Sequence, residues 1–194
     1  MSDTEMPAGG RHAVKEAPRG AEAVRTSLID AATQLFAARG PSQVSVREIA
    51  ETAGVNHGLV HHYFGSKDAL LRAALDALAR RAAAEMAEWD GEEAVFASGG
   101  AVERHGRIVA HLLLEAREPA SVQTEFPAVQ ALLRELRRRG FDEVDARERT
   151  AQVTALVLGW HLFEPFLAVA AELETDADSR TASLSEGVQR LLRR

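Results

Sequence analysis

Three histidines, His57, His61 and His62, fall close together in the stretch VSVREIAETAGVNHGLVHHYFGSKDAL. His57 and His61 stand four apart, the spacing at which two imidazoles on one helix face can hold zinc. A catalytic zinc helix of the H-E-x-x-H kind needs a third ligand and a general base. Here the intervening residues are Gly58, Leu59 and Val60, with no acid among them, so no metal is expected. The other chemistry open to these side chains is recognition of nucleic acid. Histidine hydrogen-bonds to base edges or phosphates, and arginine, here Arg47, can fork onto guanine O6 and N7. No nucleophile–base pair and no phosphate-cradling loop is visible, and His105 and His111 have no partner in sequence. An enzyme is therefore disfavoured, and no cofactor is expected.

The elements that must position these residues are legible around them. Ser45 with Glu48 three residues on forms an S-x-x-E capping box. Val46, Ile49 and Ala50 give the following helix its apolar face. Gly54 ends it, because glycine adopts positive φ at little cost. Val55 follows as an apolar plug, and Asn56 is a strong N-cap for a second helix. Val60 and Phe64 form that helix's buried stripe. His57, Gly58, His61 and His62 occupy the opposite face, with Tyr63 at its edge. Helix, glycine turn, helix is the pattern of a helix-turn-helix, whose second helix enters the DNA major groove. Gly58 costs about 1 kcal/mol relative to alanine in a helix; its use would be close approach of backbone to DNA. Before this pair, Val24, Leu28, Ala32, Leu35 and Phe36 predict a bracing helix over 21–39, stopped by Gly40 and Pro41.

The run Leu35-Phe36 with Gly40, Ser45 with Ile49-Ala50, Ala53-Gly54-Val55, Tyr63-Phe64, and Ser66-Lys67 with Leu70 resembles the DNA-binding region of the TetR/AcrR-type bacterial transcriptional regulators. The resemblance covers roughly residues 22–70, and His61 stands where that family usually has tyrosine. It implies an all-α protein: an N-terminal three-helix, homeodomain-like helix-turn-helix unit, then a helical domain for ligand binding and dimerisation. By position, Arg47, His57 and His61 fall where bases or nearby phosphates are contacted, and Ser45, Tyr63 and Lys67 where phosphates are held. The expected DNA-binding set is thus Ser45, Arg47, Asn56, His57, Gly58, His61, His62, Tyr63 and Lys67. Arg25 and Thr26 lie where a phosphate contact is also plausible.

The chain has 194 residues, 46% apolar, enough for a helical domain plus a small one. It has no cysteine, so disulfides and thiolate metal sites are excluded. No signal-peptide pattern opens it and no uninterrupted apolar run reaches a membrane span, so no membrane partner and a cytoplasmic location are expected. The formal net charge is −6. Residues 21–68 hold Arg25, Arg39, Arg47 and Lys67 against Glu22, Asp30, Glu48, Glu51 and Asp68, so bulk attraction to DNA is absent and local contacts must serve.

The expected organisation is a disordered arm over 1–20, the helix-turn-helix unit over 21–68, and the second domain over 69–194. Arg11, Lys15 and Arg19 of the arm could touch a groove, although a solvated tail is the plainer reading. Ser66 caps a long helix to about Trp89 that would act as a lever between the domains, and Gly91–Gly100 reads as a loop. Helices follow over 101–117, from about Pro127 to Arg139, from Asp145 to about Glu172, and from about Asp178 to Arg193. Pro165 should kink or break the third of these. The basic run Arg137-Arg138-Arg139 complements a helix dipole rather than a second DNA contact. Trp89, Phe126, Trp160, Phe163 and Phe166, with His111 and Glu164 as polar handles, are the candidates for lining an effector cavity. The resemblance implies release of DNA by a small apolar or aromatic effector. It also implies a homodimer on a palindromic double-stranded operator. The apolar faces of the last two helices, with Val153, Leu156, Val157, Leu184, Val188 and Leu191, are the expected seam. The alternative is a helical protein-interaction module without specific DNA binding.

Overall fold

In a computed structural model of the chain, residues 20–87, 100–118, 121–173 and 176–193 are described. The N-terminal arm, Trp89 and most of the loop expected over 91–100 lie outside them. Eight α-helices follow in order: α1 (Ala21–Arg39), α2 (Val46–Ala53), α3 (Gly58–Phe64), α4 (Lys67–Ala87), α5 (Gly100–Leu114), α6 (Pro127–Arg138), α7 (Glu143–Ala170) and α8 (Ala177–Leu192). No strand occurs among the described residues.

Local chemistry sets most boundaries. α1 stops at Gly40, whose φ of 86° and ψ of 149° suit glycine almost alone. The Ser45–Glu48 capping box is complete on both sides, and Gly54 closes α2 in the left-handed region. Ser66 Oγ accepts from Ala69 N at 3.1 Å at the start of α4. α5 ends three residues earlier than its sequence pattern, with Ala116 at φ 54° and Arg117 N returning to Leu112 O at 2.8 Å. α7 starts two residues earlier than expected, because Asp142 caps it: its Oδ1 accepts from Val144 N and Asp145 N. α7 also continues through Pro165 to Ala170. Proline removes one N–H and so one rung, and the rungs beyond it are kept, Ala171 N reaching Leu167 O at 2.9 Å.

Two apolar clusters hold the helices. The larger runs from Val24 to Val122 and joins α1–α5, with Leu28, Phe36, Ile49, Val60, Leu70, Leu75, Ile108 and Leu112 fully buried. The helices expected to form a DNA-binding unit over 21–68 therefore have no core to themselves. The smaller cluster joins α6, α7 and α8 through Leu132, Leu136, Val153, Val157, Leu184 and Val188. Four of the six residues expected at a dimer seam, Val153, Val157, Leu184 and Val188, are buried in this cluster within the protomer, and Leu156 and Leu191 pack on its edge. Two apolar helices in contact bury the faces turned to each other, which sequence cannot tell from a face turned to another chain.

Candidate nucleic-acid interface and effector cavity

α2 is fixed by hydrogen bonds at both of its ends. Ser45 Oγ accepts from Glu48 N at 3.2 Å, and Glu48 Oε2 accepts from Ser45 N at 2.8 Å. Arg39 donates to the other oxygen of Glu48 at 2.8 Å. Hydrogen bonds from Ser45, backbone first, then from Arg39, bring the Glu48 carboxyl down to about 2. Ser27 Oγ donates to Ala53 O at 2.9 Å, tying α1 to the end of α2. α3 begins at Gly58, with His57 in the cap position and no side-chain bond from it. Asn56 lies one residue further out than expected, yet still acts as a cap: its Oδ1 accepts from Gly58 N at 2.8 Å. A Cβ at position 58 would sit 3.2 Å from that Oδ1, so the cap itself gives a reason for glycine there.

The face of this pair turned to solvent carries Arg47, Asn56, His57, Gly58, His61 and His62, all exposed, with Tyr63 half-buried at its edge. Arg47 is 81% exposed and paired with Glu51 across one turn at 2.8 Å. Such an exposed pair is worth only about 0.3–0.5 kcal/mol, so the guanidinium is easily recruited by another acceptor. His61 Nδ1 lies 3.2 Å from Gly65 O, a group that only accepts, so Nδ1 carries a hydrogen. His62 meets the Tyr63 ring edge-on at 4.9 Å. Arg25 lies over the Phe64 ring at 5.6 Å. Among the described residues no group of three metal-ligating side chains is found.

Lys67 is placed differently from the expected phosphate holder. Its Nζ is part-buried and donates to Pro41 O at 2.9 Å and Val44 O at 3.1 Å. It staples the α1–α2 connection to the start of α4. Its partners lie more than twenty residues away in sequence, which local pattern could not disclose. Ser45 likewise spends its hydroxyl on the capping box.

The second site is a cavity between α4, α5, α6 and α7, holding about 700 Å³ of empty space including its mouth. Phe126 lines it, and so do Leu132, Val157, Glu85, His105 and Gln123. The other expected lining residues among those described lie elsewhere. His111 is six residues along α5 from His105 and turns to the opposite side, against Gly40; a Cβ there would come within 2.9 Å of its Nδ1. Trp160 and Glu164 border a separate polar crevice with Arg107 and Arg180, where Arg180 pairs with Glu164. Phe163 and Phe166 are 58% and 67% exposed on the outer side of α7. Arg137, Arg138 and Arg139 are held by Glu143 and Glu135, in keeping with their reading as a solvated cluster.

His105, Gln123 and Glu85 were not among the expected residues. Gln123 is 1% exposed; its Nε2 donates to Glu125 O at 3.0 Å, which turns its Oε1 to His105 Nε2 at 2.7 Å. Burial pushes the His105 imidazole below its ordinary value, against the opposing pull of the Gln123 bond. The only sequence signal for this pair was a lone histidine on an apolar helix face.

α5 links the two sites. At one end it gives His105 to the cavity; at the other, Glu115 Oε1 accepts from Ser42 Oγ at 2.5 Å and His111 abuts Gly40. Arg117 with Asp68 at 3.3 Å adds a tie to α4.

Residues 28–74 match the model of the bacterial regulatory proteins of the tetR family. The chain is 37% identical over 190 residues to the HTH-type transcriptional repressor Rv3405c of Mycobacterium tuberculosis, covering 97% of this chain and 98% of that one. It is 48% identical over 54 residues to the HTH-type transcriptional regulator BetI of Rhizobium meliloti, 28% of this chain and 27% of that one. In fold it is similar to a TetR-family transcriptional regulator from Rhodococcus sp. (TM-score 0.59, 20% identity, 88% of this chain and 98% of that one). It is similar also to GusR of Salmonella enterica (TM-score 0.60, 20% identity, 87% and 93%). With a capped helix-turn-helix whose polar face is open to solvent, and a relative alike over nearly its whole length, this chain belongs to the TetR family of DNA-binding transcriptional regulators.

Proposed function

We propose that the chain is a homodimeric, cytoplasmic repressor that binds a palindromic operator through α3 and leaves it when a small, largely apolar molecule fills the α4–α7 cavity. The observation that carries this is the joining of two sites by α4 and α5: an exposed polar reading face at one end and a buried apolar cavity at the other. His57, Gly58 and His61 would meet the groove floor, with Arg47 reaching its edge. Asn56, His62 and Tyr63 flank them near the phosphates. Lys67 and Ser45 serve as positioning residues, holding the reading helix at its angle.

Regulators of this family bind DNA and form dimers. The outer face of α7 offers the surface for it. Phe163, Phe166 and Val169 are exposed, Ala155 and Gly159 continue the stripe, and nothing lies within 4 Å of the Cβ position at Gly159. The most apolar window of α7 is apolar enough for a membrane span, yet only 11% of it is buried within the protomer. In a family of DNA-binding regulators, a second copy is the reading that covers it. Two α3 helices placed about 34–36 Å apart would then meet successive major-groove faces.

The test is a mobility-shift titration with the DNA upstream of the chain's own gene, followed by footprinting. The expected result is two protected half-sites with dyad symmetry. Equal affinity for random DNA at every salt concentration would sink the proposal.

A further inference from the structure

We propose that the cavity selects an apolar molecule bearing a cationic hydrogen-bond donor, such as an ammonium group, and that Glu85 is the residue that reads it. This rests on the reading of the cavity as the effector site.

The argument is a census of hydrogen-bonding capacity. Glu85 comes from α4, and its Oε2 is buried without a hydrogen-bond partner among the described residues. An unpaired buried carboxylate oxygen is costly, and natural proteins retain few such groups without a use. The other polar side chains of the lining offer mainly acceptors. The Gln123 amide fixes the hydrogen of His105 on Nε2, leaving Nδ1 as a bare acceptor, and burial keeps that ring neutral. Thr154 gives its hydroxyl hydrogen to Thr150 O at 2.7 Å, so its remaining capacity is lone pairs. Among these side chains, the second hydrogen of Gln123 Nε2 is the one donor left over. Among the described residues, no lysine or arginine lines the cavity. An anionic ligand would find an unpaired carboxylate and no cation. A donor on a small apolar body satisfies Glu85 and sets its hydrocarbon against Phe126, Leu132 and Val157.

Three matched probes separate the possibilities: phenylbutylamine, phenylbutanol and phenylbutyrate. Each is titrated calorimetrically into the full-length protein, and each is added to the complex with its upstream DNA. The amine should bind about tenfold tighter than the alcohol, the scale of one charge-assisted hydrogen bond, with the carboxylate weakest. Glu85→Gln keeps the shape and removes the charge, and should bring the amine's affinity down to that of the alcohol. Leu132→Trp, which fills the cavity, should abolish binding of all three. Circular dichroism of both variants verifies that they fold. If the alcohol or carboxylate binds as well as the amine, or if the amine's advantage survives Glu85→Gln, the cationic class is wrong while the cavity stays the effector site. If no probe binds, or the folded Leu132→Trp protein binds all three as before, the reading of the cavity itself fails.

Discussion

Lys67 shows how one side chain's role turns on where its partners lie. By position it falls where a phosphate is held, yet its ammonium is engaged by two carbonyls of the α1–α2 connection. Lys67→Met should lower stability by about 2 kcal/mol, by leaving both carbonyls without their donor, which is roughly 4–8 °C in Tm for a chain of this size. Differential scanning calorimetry checks this, and an unchanged Tm would return Lys67 to the phosphate role. Arg47 should behave otherwise. Arg47→Ala should leave Tm within a degree or so and cost about 1–3 kcal/mol per half-site with relaxed preference at one base position. Binding across a salt series distinguishes base readout from a phosphate clamp, which would flatten the salt slope by about one unit per contact and leave preference intact. The capping residues were readable in the sequence because Ser45 and Glu48 bond across three positions. Lys67 was not, because its bonds close long loops. His105 gives a pH test. Its folded value lies below 6.5, so the unfolded chain takes up this proton first as pH falls. Its contribution is therefore complete above 6.5 and is lost as pH drops toward the lowered folded value. His105→Gln should flatten that part of the Tm–pH curve, and identical curves would show that the ring does not titrate between the two states.

At the scale of elements, α5 is the link between the cavity and the α1–α2 connection. Gly40 combines a left-handed backbone with a contact so close that a Cβ would crowd His111. Gly40→Ala should therefore cost about 1–3 kcal/mol in backbone strain, with a steric addition. In Gly40→Ala/His111→Ala the steric part should be recovered and the strain part kept. Denaturant unfolding of the four-member cycle measures the split; strict additivity would mean the two residues do not press on one another. If α5 transmits the effector's presence, His111→Ala should also weaken the link between probe binding and DNA release while leaving each binding event in place. Element existence was legible throughout, since every helix announces itself by apolar spacing and a nearby cap or breaker. Facing was not. The spacing marked α5 as amphipathic but could not say that His105 enters the cavity and His111 leaves it. Nor could it say that Phe163 and Phe166 of α7 point outward while Val153 and Val157 point inward. Those outcomes depend on which neighbour each face meets. Pro165 gave a strong local signal for a break, and the many rungs and contacts of a long helix outweighed one missing donor.

For the whole molecule, the proposed seam on the outer face of α7 gives the test of assembly. Phe163→Asp should raise the dimer dissociation constant by at least about 30-fold, the scale of a central aromatic contact counted on both protomers, and lower operator affinity in step. Sedimentation velocity follows it, and an unaltered dimer would move the seam to another face. Leu184→Ala, inside the α7–α8 core, should instead cost about 2–5 kcal/mol of stability with assembly unchanged below the melting range. The larger apolar cluster has a different consequence, one for interchangeable parts. Because α1–α5 share one core, the reading head cannot be unscrewed after residue 68 and fitted to another sensor. Such a graft would cut through Leu70, Leu75, Ile108 and Leu112 and expose a seam that no foreign helix is shaped to meet. Exchange of sensors would have to carry residues 20–122 as a block. On the proposed reading of α2 and α3, new operators would be reached more simply, by changing the exposed side chains at positions 47, 57 and 61, which are not part of that core. A lineage built this way can retarget its DNA by point substitution while its sensor and its reading head stay bound to a common history.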